Sequence, residues 1–284
     1  MSQSELFHAL TQGRKAADAH MKFWIEQGDM WHEESVTDVL CQHAAPYVRP
    51  IRFNQRQEAS IGADWLWWWL DRSGDCFGML IQAKNLKRDK NKWHIDFNYR
   101  SGSQLNNLLK VAGHFQVPAA YMLYCGDVSY RANFPCASHK IPCARCSRAG
   151  VSIIDAPSAQ KLLAAYPESV APYAFQFSSP LEDIADPTLG VDWLSFPLGP
   201  VLRDFATQNR TGAREVALRI FQKASRTIMF NLAGSPLSAV DAWASYYLQG
   251  WRKEVPPYVT DMMDGRPAPT DAGDHLAGIV IVQL

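Results

Sequence analysis

Three side chains able to hold and use a divalent cation stand close together in the chain: Asp64, Gln82 and Lys84. They flank two apolar runs, 65–70 (WLWWWL) and 76–81 (CFGMLI), joined by the polar turn Asp71-Arg72-Ser73-Gly74-Asp75. Folding these runs into a hairpin about Ser73 sets Asp64 opposite Gln82. Side chains alternate faces along a strand, so Asp64, Gln82 and Lys84 then share one face. An acid, an amide oxygen and an ammonium gathered at the end of a buried hairpin suit metal-dependent hydrolysis. A hard cation such as Mg²⁺ takes oxygen ligands and keeps several waters.

The elements that must position these groups are legible in outline. Residues 4–27 predict a helix, with Leu6, Leu10, Ala17, Met21 and Trp24 in helical spacing and Gly28 at its end. Residues 31–44 predict a second helix, with Val36, Val39, Leu40 and Ala44 on one face. Pro46 and Pro50 break the chain after it. Residues 51–57 alternate apolar and polar and read as a strand. The hairpin over 64–84 adds two more strands, apolar on both faces. Leu66, Trp68, Leu70 and Leu80 lie on one face; Trp65, Trp67, Trp69, Phe77, Met79 and Ile81 lie on the other. Such strands must be covered on both sides, which makes the tryptophans core residues rather than base-stacking platforms. A helix over 102–115, a strand over 119–125, a strand over 151–156 and a helix capped by Ser158 follow. The turn-rich stretch 181–198 leads into helical patterns at 199–208, 213–226 and 237–252, and the tail AGIVIVQL reads as a strand.

The order helix, three meandering strands, helix, strand, with an acid early in strand two and (D/E/Q)-x-Lys in strand three, resembles the PD-(D/E)XK nuclease superfamily, the restriction-endonuclease-like fold. The matching positions are Asp64 in GADW and Gln82-Ala83-Lys84. Glu33, spaced with Val36, Val39 and Leu40, fits the glutamate that many members carry on the first core helix; Glu34 points away from that face. The string N-Q-R-Q-E-x-x-x-GADW-x-WW…QAK is also similar to a group of prokaryotic proteins with no established activity. The superfamily resemblance covers about residues 31–126. It implies an α/β fold with a mixed sheet covered on both faces, in a nuclease-like domain over 1–180. A mostly helical region over 181–284 would follow, able to pack on the same domain.

That resemblance implies a Mg²⁺- or Mn²⁺-dependent endonuclease acting on DNA, in a prokaryotic defence against phage or other foreign DNA. Asp64 would be the main ligand, with the Gln82 amide oxygen and the Ala83 carbonyl beside it. Glu33 would serve a second ion or a water next to the first. Lys84 would orient the attacking water and stabilise developing charge. Glutamine in place of the usual carboxylate removes one negative charge. Glu58 either supplies it or pairs with Arg56 or a helix end. Asn54 and Gln55 are read as structural. Homodimerisation and docking of a partner protein on the C-terminal region are further expectations. Two alternatives stand beside this reading: a nuclease-fold module that only binds nucleic acid or protein, and an RNA-directed nuclease.

Composition sets outer limits. The chain has 284 residues, 47% of them hydrophobic, with 28 basic and 28 acidic side chains. Bulk positive charge therefore gives no argument for nucleic-acid binding. A local basic patch does stand out: Lys84, Lys87, Arg88, Lys90 and Lys92. The N-terminus lacks an apolar signal core, and no run reaches the length of a membrane span, so a cytoplasmic protein with reduced thiols is expected. Four of the six cysteines, Cys125, Cys136, Cys143 and Cys146, cluster with His139 in the stretch 125–150. Cys143-x-x-Cys146 has the spacing by which one turn presents two thiolates to Zn²⁺. Four of these five residues would make a closed structural site. The other reading is a loop of free thiols with Cys125 buried in its strand. A redox role is disfavoured, because no helix pattern begins directly after Cys143.

Overall fold

The computed structural model describes residues 3–52, 65–90, 92–97, 103–132, 134, 143–189, 204–205, 207, 212–220, 222, 244–267 and 276–284. Its centre is an eight-stranded mixed sheet. The strands are β1 (Val48–Arg52), β2 (Trp65–Leu70), β3 (Cys76–Asn85), β6 (Ala119–Tyr124), β7 (Val151–Asp155), β8 (Ser179–Pro180), β9 (Trp251–Arg252) and β10 (Gly278–Gln283). A separate ribbon pairs β4 (Lys87–Asp89) with β5 (Lys92–His94). The order in the main sheet is β1-β10-β2-β3-β6-β7-β8, with β9 on one end of β3.

The β2–β3 hairpin has the register its sequence predicts. Leu70 pairs with Cys76 and Trp65 with Ile81. The turn is closed by the Asp71 N–H donating to Asp75 O at 3.0 Å and the Gly74 N–H donating to Asp71 O at 3.2 Å. Gly74 takes a φ of 91°, a conformation that glycine adopts without a Cβ clash. The two faces separate as the alternation requires. Trp65, Trp67, Trp69, Phe77, Met79 and Ile81 enter one core, and Leu66, Trp68, Leu70 and Leu80 enter the other. Gly78 sits opposite Trp68, whose indole lies over it. A Cβ at Gly78 would come within 2.7 Å of that ring.

Helices cover both faces. On the first lie α1 (Gln3–Glu26) and α2 (Glu33–His43), sealed by Leu6, Leu10, Ala17, Met21, Val36 and Leu40. On the second lie α3 (Ser103–Phe115), α5 (Ala156–Ala165), α6 (Val170–Phe177) and α7 (Pro257–Met263). Gly13 lets α1 approach α2, since a Cβ there would stand 2.7 Å from Leu40 O. A short helix, α4 (Ala144–Ser147), precedes β7. The parallel crossover from β3 to β6 carries the β4–β5 ribbon and α3, and its helix lies on one face as such connections require.

Four expectations change. The strand foreseen at 51–57 is Val48–Arg52, with residues 53–64 outside the described set. It does not continue a meander into β2. Instead β10 lies between them, antiparallel to β1 and parallel to β2. The tail IVIV is apolar on both faces, so it fits a central position that the more polar β1 could not fill. The helix after β7 is capped by Asp155, which accepts from the Ser158 N–H at 2.8 Å, rather than by Ser158. Of the pattern at 237–252, residues 244–248 are helical, and the chain then turns into β9.

Residues from 205 to 247 contribute Phe205, Val216, Leu218, Ala244 and Tyr247 to the first core. Ion pairs tie α1 to the 3₁₀ turn Leu181–Ile184. Arg14 Nε donates to Glu182 at 2.9 Å, and Arg14 also meets Asp18 at 3.0 Å. Among the described residues, no helix is long and apolar enough to cross a membrane.

Candidate functional site

The site is built at the C-terminal end of β3, where it runs past the first residue of β2. Trp65 pairs with Ile81, so Gln82 to Asn85 extend beyond the described part of β2. On its other side β3 continues beside β6, with Gln82 against Tyr121 and Lys84 against Leu123. Gln82 and Lys84 point into the second core, on the face that α3 covers.

Both side chains are shielded, at 1% and 7% exposure. Lys84 Nζ donates to Gln104 Oε1 at 2.5 Å. Gln82 Oε1 is buried and has no hydrogen-bond partner among the described residues. A buried carbonyl oxygen left unpaired costs about 1–3 kcal/mol, and a cation is one kind of partner that would satisfy it.

Glu33 arrives from the other layer. It is the first residue of α2, and Val36, Thr37, Leu40 and Cys41 of that helix are buried. A carboxylate in the first turn complements the helix dipole. Successive backbone amides along β3 point to opposite neighbours. The Leu86 N–H goes to Tyr124 O on the β6 side at 2.9 Å. The Asn85 N–H therefore points to the β2 side, and there Glu33 Oε1 accepts it at 2.9 Å. Although α2 covers the face opposite Gln82 and Lys84, the Glu33 carboxylate thus reaches the plane of the sheet at the end of β3.

Burial pushes the Glu33 carboxyl above the usual carboxylate range. Lys84 is the strongest influence pulling it back, followed by the Asn85 N–H and Lys87, while Asp96 adds to the upward push. Glu33 and Lys84 thus share one electrostatic neighbourhood. Glu34 is exposed.

Asp64 and Glu58 lie outside the described residues, as do Asn54 and Gln55. The hairpin register is described as far as the pair Trp65 and Ile81. Two neighbours were not singled out in the sequence. Gln104, on the first turn of α3, anchors Lys84. Asn85 bridges to Trp31 O through its Nδ2 at 3.0 Å and gives its backbone N–H to Glu33. Asn85 directly follows the Gln-Ala-Lys triplet, and that adjacency was the available signal. Gln104 had none, because a glutamine in a first helical turn is ordinary.

Two groups here have the chemistry of hard-cation ligands: the Gln82 amide oxygen, without a partner among the described residues, and the Glu33 carboxyl. No group of three or more His, Cys, Asp or Glu side chains that could hold a metal occurs among the described residues.

Residues 7–283 match the family described as Family of unknown function (DUF6615). The chain belongs to the DUF6615 family. None of the curated proteins compared with it matches. Because the match spans β1 through β10, the strand inserted between β1 and β2 lies within the family's span.

The cysteines divide. Cys143 and Cys146 Sγ stand 3.5 Å apart. Cys143 caps α4, accepting from the Cys146 N–H at 3.4 Å. A short helix thus does begin directly after Cys143, contrary to the sequence expectation. Slight burial pushes the Cys143 thiol up, but the Cys146 N–H and thiol and Arg145 outweigh it, so it sits below the ordinary thiol value. Cys125 is fully buried, its thiol pushed up to about 12 by desolvation. Cys136 and His139 lie outside the described residues. Arg131 holds this turn in place, donating to Cys146 O at 3.1 Å and Ser147 O at 2.8 Å.

Proposed function

We propose that this protein is a divalent-metal-dependent phosphodiesterase that cleaves DNA, using a PD-(D/E)XK-type site at the end of β3. The observation that carries the reading is the buried Gln82 Oε1, without a hydrogen-bond partner among the described residues, on the same face as Lys84 and at the strand end that Glu33 reaches. Gln82 Oε1, the Glu33 carboxylate and Asp64 would hold Mg²⁺ or Mn²⁺, with the Ala83 carbonyl beside them. Bound there, the cation would supply charge neutralisation and an activated water.

The chain's own groups do the rest. Gln104 fixes the Lys84 ammonium, so its positive charge is already in place when negative charge develops on the phosphate. In a shielded site such a preset charge is worth far more than in water. Glu33 holds the backbone of Asn85 and keeps the end of β3 in register with α2. Packing under α3 shields Gln82 and Lys84 from bulk solvent. Glutamine in place of a carboxylate leaves the site one charge poorer, so the shift in Glu33 matters: a cation would stabilise a carboxylate that burial disfavours.

Plasmid incubated with Mg²⁺ or Mn²⁺ tests the reading. Wild type should nick or linearise it, and Asp64→Ala and Lys84→Ala should lose at least about 100-fold in rate. Equal cleavage by all three would remove the site from the reaction. DNA binding without cleavage would favour a binding module, and cleavage competed better by RNA would reassign the substrate.

The Cys143–Cys146 pair supports a second, structural proposal: a zinc ion held by four of Cys125, Cys136, His139, Cys143 and Cys146. Two thiols placed 3.5 Å apart on one turn, one of them held below the ordinary thiol value, are half of such a site. Cys125, with its strongly raised thiol, is the weakest of the five.

A further inference from the structure

We infer that the β4–β5 ribbon is a rigid cationic wing that grips the phosphodiester backbone next to the proposed catalytic site; the inference rests on that functional reading. The ribbon is not part of the main sheet. Two short strands alone are marginal in water, so its order has to come from elsewhere. Trp93 supplies it, packing edge-on against Tyr130 at 5.1 Å and Phe134 at 4.9 Å. Tyr130 in turn donates to Leu86 O at 3.2 Å, at the base of β4. Ile95 and Phe97, just past β5, are buried in the second core.

The register then sorts the charges. Lys87 pairs with His94, Arg88 with Trp93 and Asp89 with Lys92. Directly paired residues share a face, so Trp93 faces the protein with Arg88 stacked on it at 5.5 Å. Lys87, Asp89, Lys92 and His94 form the other face. Arg88, Asp89, Lys90, Lys92 and His94 are exposed, and Lys87 is partly so. Two lysines against one aspartate on this face, with Lys90 at the tip, make this a cationic surface. It begins beside the proposed site, because Lys87 lies close enough to Glu33 to act on its carboxyl.

The tip gives an independent observation. Asp89 and Lys92 close a two-residue connection, and Lys90 takes a φ of 53°. Such turns favour Asn or Gly at this place, and a left-handed lysine is strained. A strained lysine at the apex of an anchored ribbon is accounted for by the use of its charge. Phosphate contacts of this kind give sequence-independent, salt-sensitive affinity.

The test uses the full chain with the double substitution Lys90→Asn and Lys92→Gln, which leaves Glu33, Gln82 and Lys84 untouched. Binding to a fluorescent DNA duplex and to an RNA duplex is measured in EDTA across a salt series. The variant should fold with a thermal midpoint equal to or above wild type, because Asn relieves the strain at position 90. Its plot of log affinity against log salt on the preferred duplex should be shallower by about 2, since each DNA phosphate that a lysine neutralises adds close to 0.9 to the slope. An unchanged affinity and slope on both duplexes would overturn the wing. Failure of the catalytic reading would show separately, as normal salt-dependent binding without metal-dependent cleavage.

Discussion

Glu33 shows how burial and charge set the behaviour of the site. Desolvation raises its carboxyl, and the attraction of Lys84 and Lys87 only partly offsets this. Because its pKa in the folded chain lies above the unfolded value, folding favours its protonated form. The metal-free fold therefore loses stability as pH rises from the ordinary carboxylate range through Glu33's raised pKa. A cation at the site must displace that proton, so Mn²⁺ affinity should climb with pH over the same window. Glu33→Gln keeps an oxygen for the Asn85 N–H and removes the titration. Calorimetric Mn²⁺ titrations from the ordinary carboxylate range upward should show the climb in wild type and lose it in the variant. A pH-independent wild-type affinity would separate Glu33 from the metal. Of these side chains, Gln82, Lys84 and Glu33 were legible because strand alternation and helical spacing fix where they point. Gln104 was not, because its role comes from how α3 docks on β3, a tertiary fact.

At the scale of elements, the hairpin register could be read from sequence because the polar turn Asp71–Asp75, centred on Ser73, fixes which residues pair. Trp68 against Gly78 reinforces it, since one ring fills the space the other position leaves. The stretch around α4 was harder to read. Its Cys-x-x-Cys spacing is clear, but the helix that begins at Ala144 has only four residues, too few for a periodic pattern. Purified protein should carry about one equivalent of zinc, and Cys143→Ser should lose it while leaving the hairpin core folded. Zinc below about one tenth of an equivalent would leave Cys143 and Cys146 as a dithiol without metal.

For the whole molecule, the C-terminal strand decides the architecture. β10 is central, parallel to β2 and antiparallel to β1, so the first and last strands of the sequence lie side by side. Sequence reading recognised β10 as a strand but not its place, because an apolar strand of this kind fits any central slot and only the completed sheet selects one. The same insertion separates β1 from β2 and so departs from a simple meander. Helical residues from 205 to 247 complete the first core and α7 the second, so the strand that carries the candidate site is braced by chain from both ends of the sequence. The most direct test of the proposed metal site is the anomalous difference density of a crystal soaked in Mn²⁺. A peak is predicted in contact with Gln82 Oε1 and a carboxylate from Glu33 or Asp64. A peak bound elsewhere, or none at saturating Mn²⁺ with Gln82 Oε1 found hydrogen-bonded to protein, would contradict it.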